Sequence, residues 1–151
     1  NPSRRVHSFD LGTLGGANVG EEFVHTMFPQ RLTLTRGDSS ETVPEYLGAH
    51  SALTCDLVHI DGGHFDFTPW NDLVELARAS HDSTILVVDD TPSIGDVARA
   101  IRIAEKAGLV QEIGCWGSID LDANTKSHHL RGFCIFSIPP DALEAFKSAE
   151  G

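Results

Sequence analysis

Two stretches carry most of the chemistry available to this chain: Asp56-Leu-Val-His-Ile-Asp-Gly-Gly-His64 and Thr84-Ile-Leu-Val-Val-Asp-Asp-Thr91. Each is a short Val- and Ile-rich run that ends abruptly in acid. Such runs are too short for a helix and read as buried strands of a parallel sheet. In open α/β sheets ligands sit beyond the carboxyl ends of the strands. That places Asp61, Asp89 and Asp90 at a candidate site, with His64 three residues past the first of them. If the two strands are neighbours, three carboxylates converge. Two unit charges about 4 Å apart repel by roughly 4 kcal/mol at an effective dielectric near 20. Such a cluster calls for a cation, a basic partner or a raised pKa, and a divalent metal is the simplest answer.

The elements that must position these groups alternate along the chain. Val6–Leu11, Arg31–Arg36, Cys55–Asp61 and Thr84–Asp89 read as strands. Helices are predicted from about Val19 to Phe28, from Glu41 to Ala49 with Ser39 or Ser40 as N-cap, from Pro69 to Ala79, and from Ile94 to Ala107. The last third changes character. Leu109–Ile119 and His128–Ile138 form a predicted antiparallel pair, and Asp141 caps a short terminal helix to Ala149. Repeated β-α units closed by an antiparallel pair predict an α/β fold, a doubly wound, mostly parallel Rossmann-like sheet with a mixed edge. With 151 residues and no linker, repeat or low-complexity tract, one domain is expected.

Composition narrows the partners. Twenty-two acidic against 11 basic residues give a formal charge of −11, which argues against nucleic acid and anionic membranes. The apolar runs are far too short to span a bilayer, and the polar start from Asn1 to Arg5 does not read as a secretory signal. Cys55, Cys115 and Cys134 are single, widely spaced and set in or beside apolar runs, so reduced, buried thiols in a cytoplasmic protein are expected.

Taken in order, Asp10 at a strand end, Gly37-Asp38-Ser39 after the next strand, Asp61-Gly-Gly-His64, Asp89-Asp90 and the closing antiparallel pair span nearly the whole chain. In this arrangement the sequence resembles the class I S-adenosylmethionine-dependent methyltransferases. Its nearest branch is the metal-dependent small-molecule O-methyltransferases that act on catechols and macrolide sugars. The resemblance implies roles by position. Asp10 would accept hydrogen bonds from the cofactor ribose, and Asp38, with Ser39 beside it, would meet the adenine amino group. Asp61, Asp89 and Asp90 match the positions that hold Mg²⁺ or Mn²⁺, with Asp61 also on the cofactor side. Position 90 is often Asn in that branch, so Asp90 is a mild departure. His64 matches the general base for the acceptor hydroxyl. The partner implied is a hydroxylated small molecule or sugar.

One departure is larger. Only 28 residues separate Asp10 from Asp38, room for one helix and one strand, whereas the family pattern needs two of each between its first Gly-rich turn and the adenine acid. Gly12–Gly20 is therefore not that turn, and Val6–Leu11 corresponds to the family's second strand. The expectation is a domain lacking its first strand and helix: a fragment, a trimmed chain, or a domain completed by another chain. A gap beside Cys55–Asp61 would favour homo-oligomers or aggregation.

Each assignment has an ordinary counterpart. The strand-end acids also suit inert turns, and His64 an exposed loop. His59 reads as a packed or hydrogen-bonded sheet residue and His128-His129 as surface or a substrate contact. Phe65, Phe67 and Trp70 suit either a ligand wall or helix-start packing. Thr84–Ser93 is close to the opening of a phosphoreceiver domain, but the later strand Arg131–Ser137 (RGFCIFS) lacks the phosphoacceptor acid. Asp89-Asp90-Thr91 lacks the D-x-D-x-T spacing of a haloacid-dehalogenase-type phosphatase, and a DxD glycosyltransferase has only loose analogy. A non-catalytic, methyltransferase-like binding or assembly domain is the alternative of a different class.

Overall fold

Alternating apolar runs and amphipathic stretches become six strands and five helices in the computed structural model, which describes residues 4–13, 16–91, 95–121 and 128–148. The chain divides into two compact units at Ala49/His50.

In the first unit, β1 (Val6–Asp10) and β2 (Leu32–Arg36) pair in parallel, from Val6 opposite Leu32 to Asp10 opposite Arg36. Helix α1 (Ala17–Met27) lies between them in sequence, since parallel neighbours need a crossover connection rather than a tight turn. Helix α2 (Ser39–Ala49) packs on β1 through Tyr46. The Tyr46 hydroxyl lies 2.6 Å from His7 Nδ1, and its ring meets Phe9 edge-on at 5.4 Å. The cap of α2 is one residue earlier than expected. Asp38 Oδ1 accepts from the Ser40 N–H at 2.9 Å and the Ser40 hydroxyl at 2.7 Å, because an aspartate just outside the first turn reaches the orphan amides better than a serine within it.

In the second unit, β3 (Cys55–Ile60), β4 (Ser80–Asp89), β5 (Gln111–Leu121) and β6 (His128–Ser137) form one sheet in the order β3-β4-β6-β5. The β3–β4 pair is parallel, the β5–β6 pair is antiparallel as the pattern predicts, and β6 also runs antiparallel to β4. Helices α3 (Thr68–Arg78), α4 (Asp96–Lys106) and α5 (Pro140–Ser148) complete the unit. Val58, Ile60, Leu86, Val88, Cys134 and Phe136 share one sheet face and cluster with Leu73, Val97, Ile101, Leu143 and Phe146 from the helices. Boundaries differ from expectation by a few residues. β4 begins at Ser80 because Cys55 pairs with Ser80 ahead of a register shift. No helix among the described residues is long and apolar enough to cross a membrane.

Three expectations are corrected here. The strands ending in acid are not buried on both faces: β3 is an edge strand, and its second face leaves Leu57 59% exposed. His59, on that same face, is exposed rather than packed. The thiols are not all free and buried. Cys115 and Cys134 oppose one another across β5 and β6 and form a disulfide, and Cys115 is exposed because β5 is the outer strand. Cys55 is the free, half-buried thiol; burial, aided by the neighbouring Asp56 charge, raises its pKa. The side chains of His128 and His129 and residues 14, 15 and 94 lie outside the described set.

Gly132 holds the β5–β6 pair together in a way no other residue can. Its φ is +156°, and a Cβ there would sit 2.2 Å from the Trp116 carbonyl oxygen. Across this point the Trp116 and Phe133 rings stack at 5.7 Å. Gly132→Ala is expected to force the strands apart and cost about 1–3 kcal/mol, the usual range for overpacking. Urea unfolding checks this; an unchanged midpoint would contradict the close approach.

Candidate functional site

Parallel pairing of β3 and β4 sets Ile60 opposite Val88, so the residues that follow, Asp61 and Asp89, emerge side by side at the carboxyl end of the sheet. Asp89 remains in the ladder opposite Phe133, while Asp90 turns out of it with φ +53°. A non-glycine residue at that φ is uncommon, and such positions recur at functional sites. The Asp61 carboxyl is held above the usual carboxylate range. Burial is the main cause, followed by a hydrogen bond with the Asp89 side chain and by Asp89's charge; His59 and His64 oppose the shift.

His64 closes the cluster. Its Nδ1 is 3.3 Å from Asp90 Oδ2 and its Nε2 is 3.9 Å from Asp61 Oδ1. The loop carrying it needs glycine: a Cβ at Gly62 would lie 2.8 Å from Asp72 Oδ2, and Asp72 is only 6% exposed beneath it. Asp66, at φ +55°, pins the loop by donating its N–H to Asp96 Oδ2 at 3.0 Å. Trp70 packs against the core, whereas Phe65 and Phe67 are 75% and 68% exposed, so helix-start packing explains only the first. Thr91 is buried behind the acids, its hydroxyl bonded to the Val88 carbonyl and receiving the Cys134 N–H at 3.0 Å. Sequence reasoning missed Asp72 and Thr91. Both are polar residues inside otherwise amphipathic stretches, and only burial marks them out.

The other three predicted site residues belong to the first unit. Asp10 Oδ1 accepts from the Gly12 N–H and, at 3.3 Å, from Arg36 Nη1. Gly12 has φ +73°, and a Cβ there would meet the Arg36 side chain at 2.9 Å. Arg36 also donates to Glu21 Oε2 at 2.7 Å and Asn18 Oδ1 at 3.1 Å. This arginine was not singled out from the sequence; its register opposite Asp10 is what gives it a role. Asp10 and Arg36 line a cavity of about 580 Å³ with Val6, Ser8, Leu32 and Leu34. Asp38 is exposed, and its pKa is lowered by the Ser40 side-chain hydrogen bond and then by the Ser40 amide. Ser39 is half-buried at the first position of α2.

The structure therefore brings Asp61, His64, Asp89 and Asp90 together, and separately sets Asp10 and Asp38-Ser39 at the ends of adjacent strands. Hard carboxylate oxygens are the donor set that Mg²⁺ or Mn²⁺ requires. Among the described residues, the trio whose potential ligand atoms all lie within 4.8 Å of one another is a different one: Glu112, Cys115 and Cys134.

A family model described as a methyltransferase domain matches residues 1–91. Among curated proteins none matches. Among solved structures, the chain is similar to apo CalS11, a TDP-rhamnose 3′-O-methyltransferase of calicheamicin biosynthesis, with a TM-score of 0.60 and 20% identity. That match covers 89% of this chain but 59% of CalS11. An O-methyltransferase from Bacillus cereus in complex with SAH gives 0.61 at 12% identity, over 88% of this chain and 74% of that one. A precorrin 8w decarboxylase from Methanobacterium thermoautotrophicum gives 0.54 at 13% identity, over 89% and 69%. At these identities the likeness is one of fold, and the decarboxylase shows that the fold also serves other chemistry.

Proposed function

The chain belongs to the methyltransferase-domain family, and from that premise we propose that it serves an S-adenosylmethionine-dependent, divalent-metal-assisted O-methyl transfer to a hydroxylated small molecule or sugar. The observation that carries this reading is the cluster of Asp61, Asp89, Asp90 and His64 at the carboxyl ends of two adjacent parallel strands. Asp10 would hold the ribose diol, and Asp38 with Ser39 the adenine edge. Asp10 and Asp38 each accept hydrogen bonds at Oδ1. Asp61, Asp89 and Asp90 would hold Mg²⁺ or Mn²⁺, hard cations matched to carboxylate oxygens. When bound, S-adenosylmethionine supplies a methyl group on a sulfonium sulfur, already activated for transfer.

The residues of the chain would then supply positioning and proton movement. His64 Nδ1 lies 3.3 Å from Asp90 Oδ2 and Nε2 faces Asp61, so Asp90 would orient the ring and Nε2 would be the nitrogen offered to a substrate proton. His64 Nε2 would take the proton of the acceptor hydroxyl, and Asp90 would stabilise the imidazolium so formed. Phe65 and Phe67 present apolar surface beside this base. Most of the rate would come from holding the acceptor oxygen in line.

Calorimetric titration with S-adenosylhomocysteine tests the reading. Saturable binding, weakened about tenfold (1.4 kcal/mol) by Asp38→Ala through loss of a charged hydrogen-bond acceptor, is the expected result. A folded chain that binds neither S-adenosylhomocysteine nor S-adenosylmethionine would instead support a non-catalytic binding domain.

A further inference from the structure

The β5–β6 pair carries a second constellation that the methyl-transfer reading leaves unused. Cys115 and Cys134 are direct cross-strand partners, with Cα atoms 4.1 Å apart. Glu112 is three residues before Cys115, and on a regular strand two residues three apart face opposite ways. Here the register shifts between Glu112 and Gly114, with Glu112 opposite Phe136, Gly114 opposite Ile135 and Cys115 opposite Cys134. Ile113 is the extra residue, and it is exposed. Phe136 and Cys134, two apart on β6, share a face, so the bulge brings Glu112 onto the same face as Cys115. The outcome is a carboxylate and two sulfurs within 4.8 Å of one another, open to solvent on the side of Glu112 and Cys115.

We propose that Glu112, Cys115 and Cys134 form a thiolate-based metal site for a borderline-soft divalent ion such as Zn²⁺, closed while the two cysteines are bonded and opened by reduction. In the oxidised state the sulfurs have no thiolate to offer. An external dithiol reductant supplies two electrons and two protons, the S–S bond becomes two thiols, and the reductant leaves as its own disulfide. The ion then displaces both thiol protons. Two thiolates on one tetrahedral zinc, each about 2.3 Å from the metal, stand about 3.8 Å apart, a separation that cross-strand cysteines reach with little movement of the backbone. The Glu112 carboxylate is the third ligand, and solvent takes the fourth position. Mg²⁺, which prefers oxygen, is rejected here, so the site is chemically distinct from the acid cluster at Asp61 and Asp89.

Cd²⁺ is the probe, because thiolate coordination gives it an ultraviolet charge-transfer band that carboxylates do not. Titrated into the whole chain, it should give no band before reduction and one saturating at a single equivalent afterwards, competed away by Zn²⁺. Cys115→Ser should abolish the band, and Cys55→Ser should leave it unchanged. Glu112→Gln, on an exposed strand position, should weaken binding at least roughly tenfold, a loss that even supporting groups around metal sites can produce. Absence of the band in the reduced chain would overturn the proposal, as would its persistence in Cys115→Ser. Three titratable thiols before reduction would overturn the gate.

Discussion

Asp61→Asn is expected to stabilise the metal-free protein while removing its response to Mg²⁺ and Mn²⁺. The Asp61 pKa is raised in the folded state, chiefly by burial and by Asp89. For an acid shifted in that direction, the stability it contributes is complete below its unfolded value, near 3.9, and is lost as pH rises through the folded value. At neutral pH the ionised Asp61 therefore works against folding, and asparagine removes that charge while keeping the shape. The gain should stay below about 1 kcal/mol, because 53% of the side chain is exposed and solvent screens the repulsion. The ion response is larger. Wild type at an ion concentration 100-fold above Kd should gain about 2.7 kcal/mol, seen as a higher melting temperature, and the variant none. Asp89→Asn should behave alike on the ion side. Thermal melts with and without Mg²⁺, with calorimetry alongside, read both halves; a variant that binds Mg²⁺ like wild type would sink the metal assignment. Opposite changes in stability and binding are the signature of a site under electrostatic strain.

His64→Ala should lower kcat for methyl transfer by about 10²–10⁴-fold, the usual contribution of a positioned general base, with cofactor affinity nearly unchanged. His64 lies between Asp90 and Asp61, so removing it takes away the proton acceptor without touching Asp10 or Asp38. Asp90→Asn separates the ring-orienting role from the base itself. It should lower kcat less than His64→Ala does and shift the pH–rate profile, since the imidazolium loses its carboxylate. Steady-state transfer from labelled cofactor to catechol and nucleotide-sugar acceptors supplies both numbers. A His64→Ala enzyme with unaltered kcat would remove His64 from the chemistry and leave the acid cluster to be judged by ion binding alone.

Much of the acid site was legible because strand periodicity is a strictly local code. Cys55–Ile60 and Thr84–Asp89 each alternate or run apolar over the length of one strand and stop at acid. Parallel pairing then has little freedom except to set those acids beside one another. The same local code placed Asp10 and Asp38 at strand ends and anticipated the antiparallel closing pair. Resemblance to a family added roles to these positions, which spacing alone does not supply.

What the sequence by itself determined about this protein is the order and type of its elements, the α/β class, and the presence of acid and His64 at one end of the strands. These follow from interactions between near neighbours along the chain. Tertiary structure decided the rest, because it depends on register and on what covers what. Only packing shows that Leu57 and His59 lie on an uncovered face, that Arg36 reaches across to Asp10, and that Gly62 rests on the buried Asp72. Only the extra residue at Ile113 brings Glu112 beside Cys115, and only the β5–β6 register joins two cysteines 19 residues apart into a disulfide, where spacing alone predicted separate thiols. A one-residue shift in pairing reverses the face of every side chain beyond it, and no local pattern in the sequence announces such a shift.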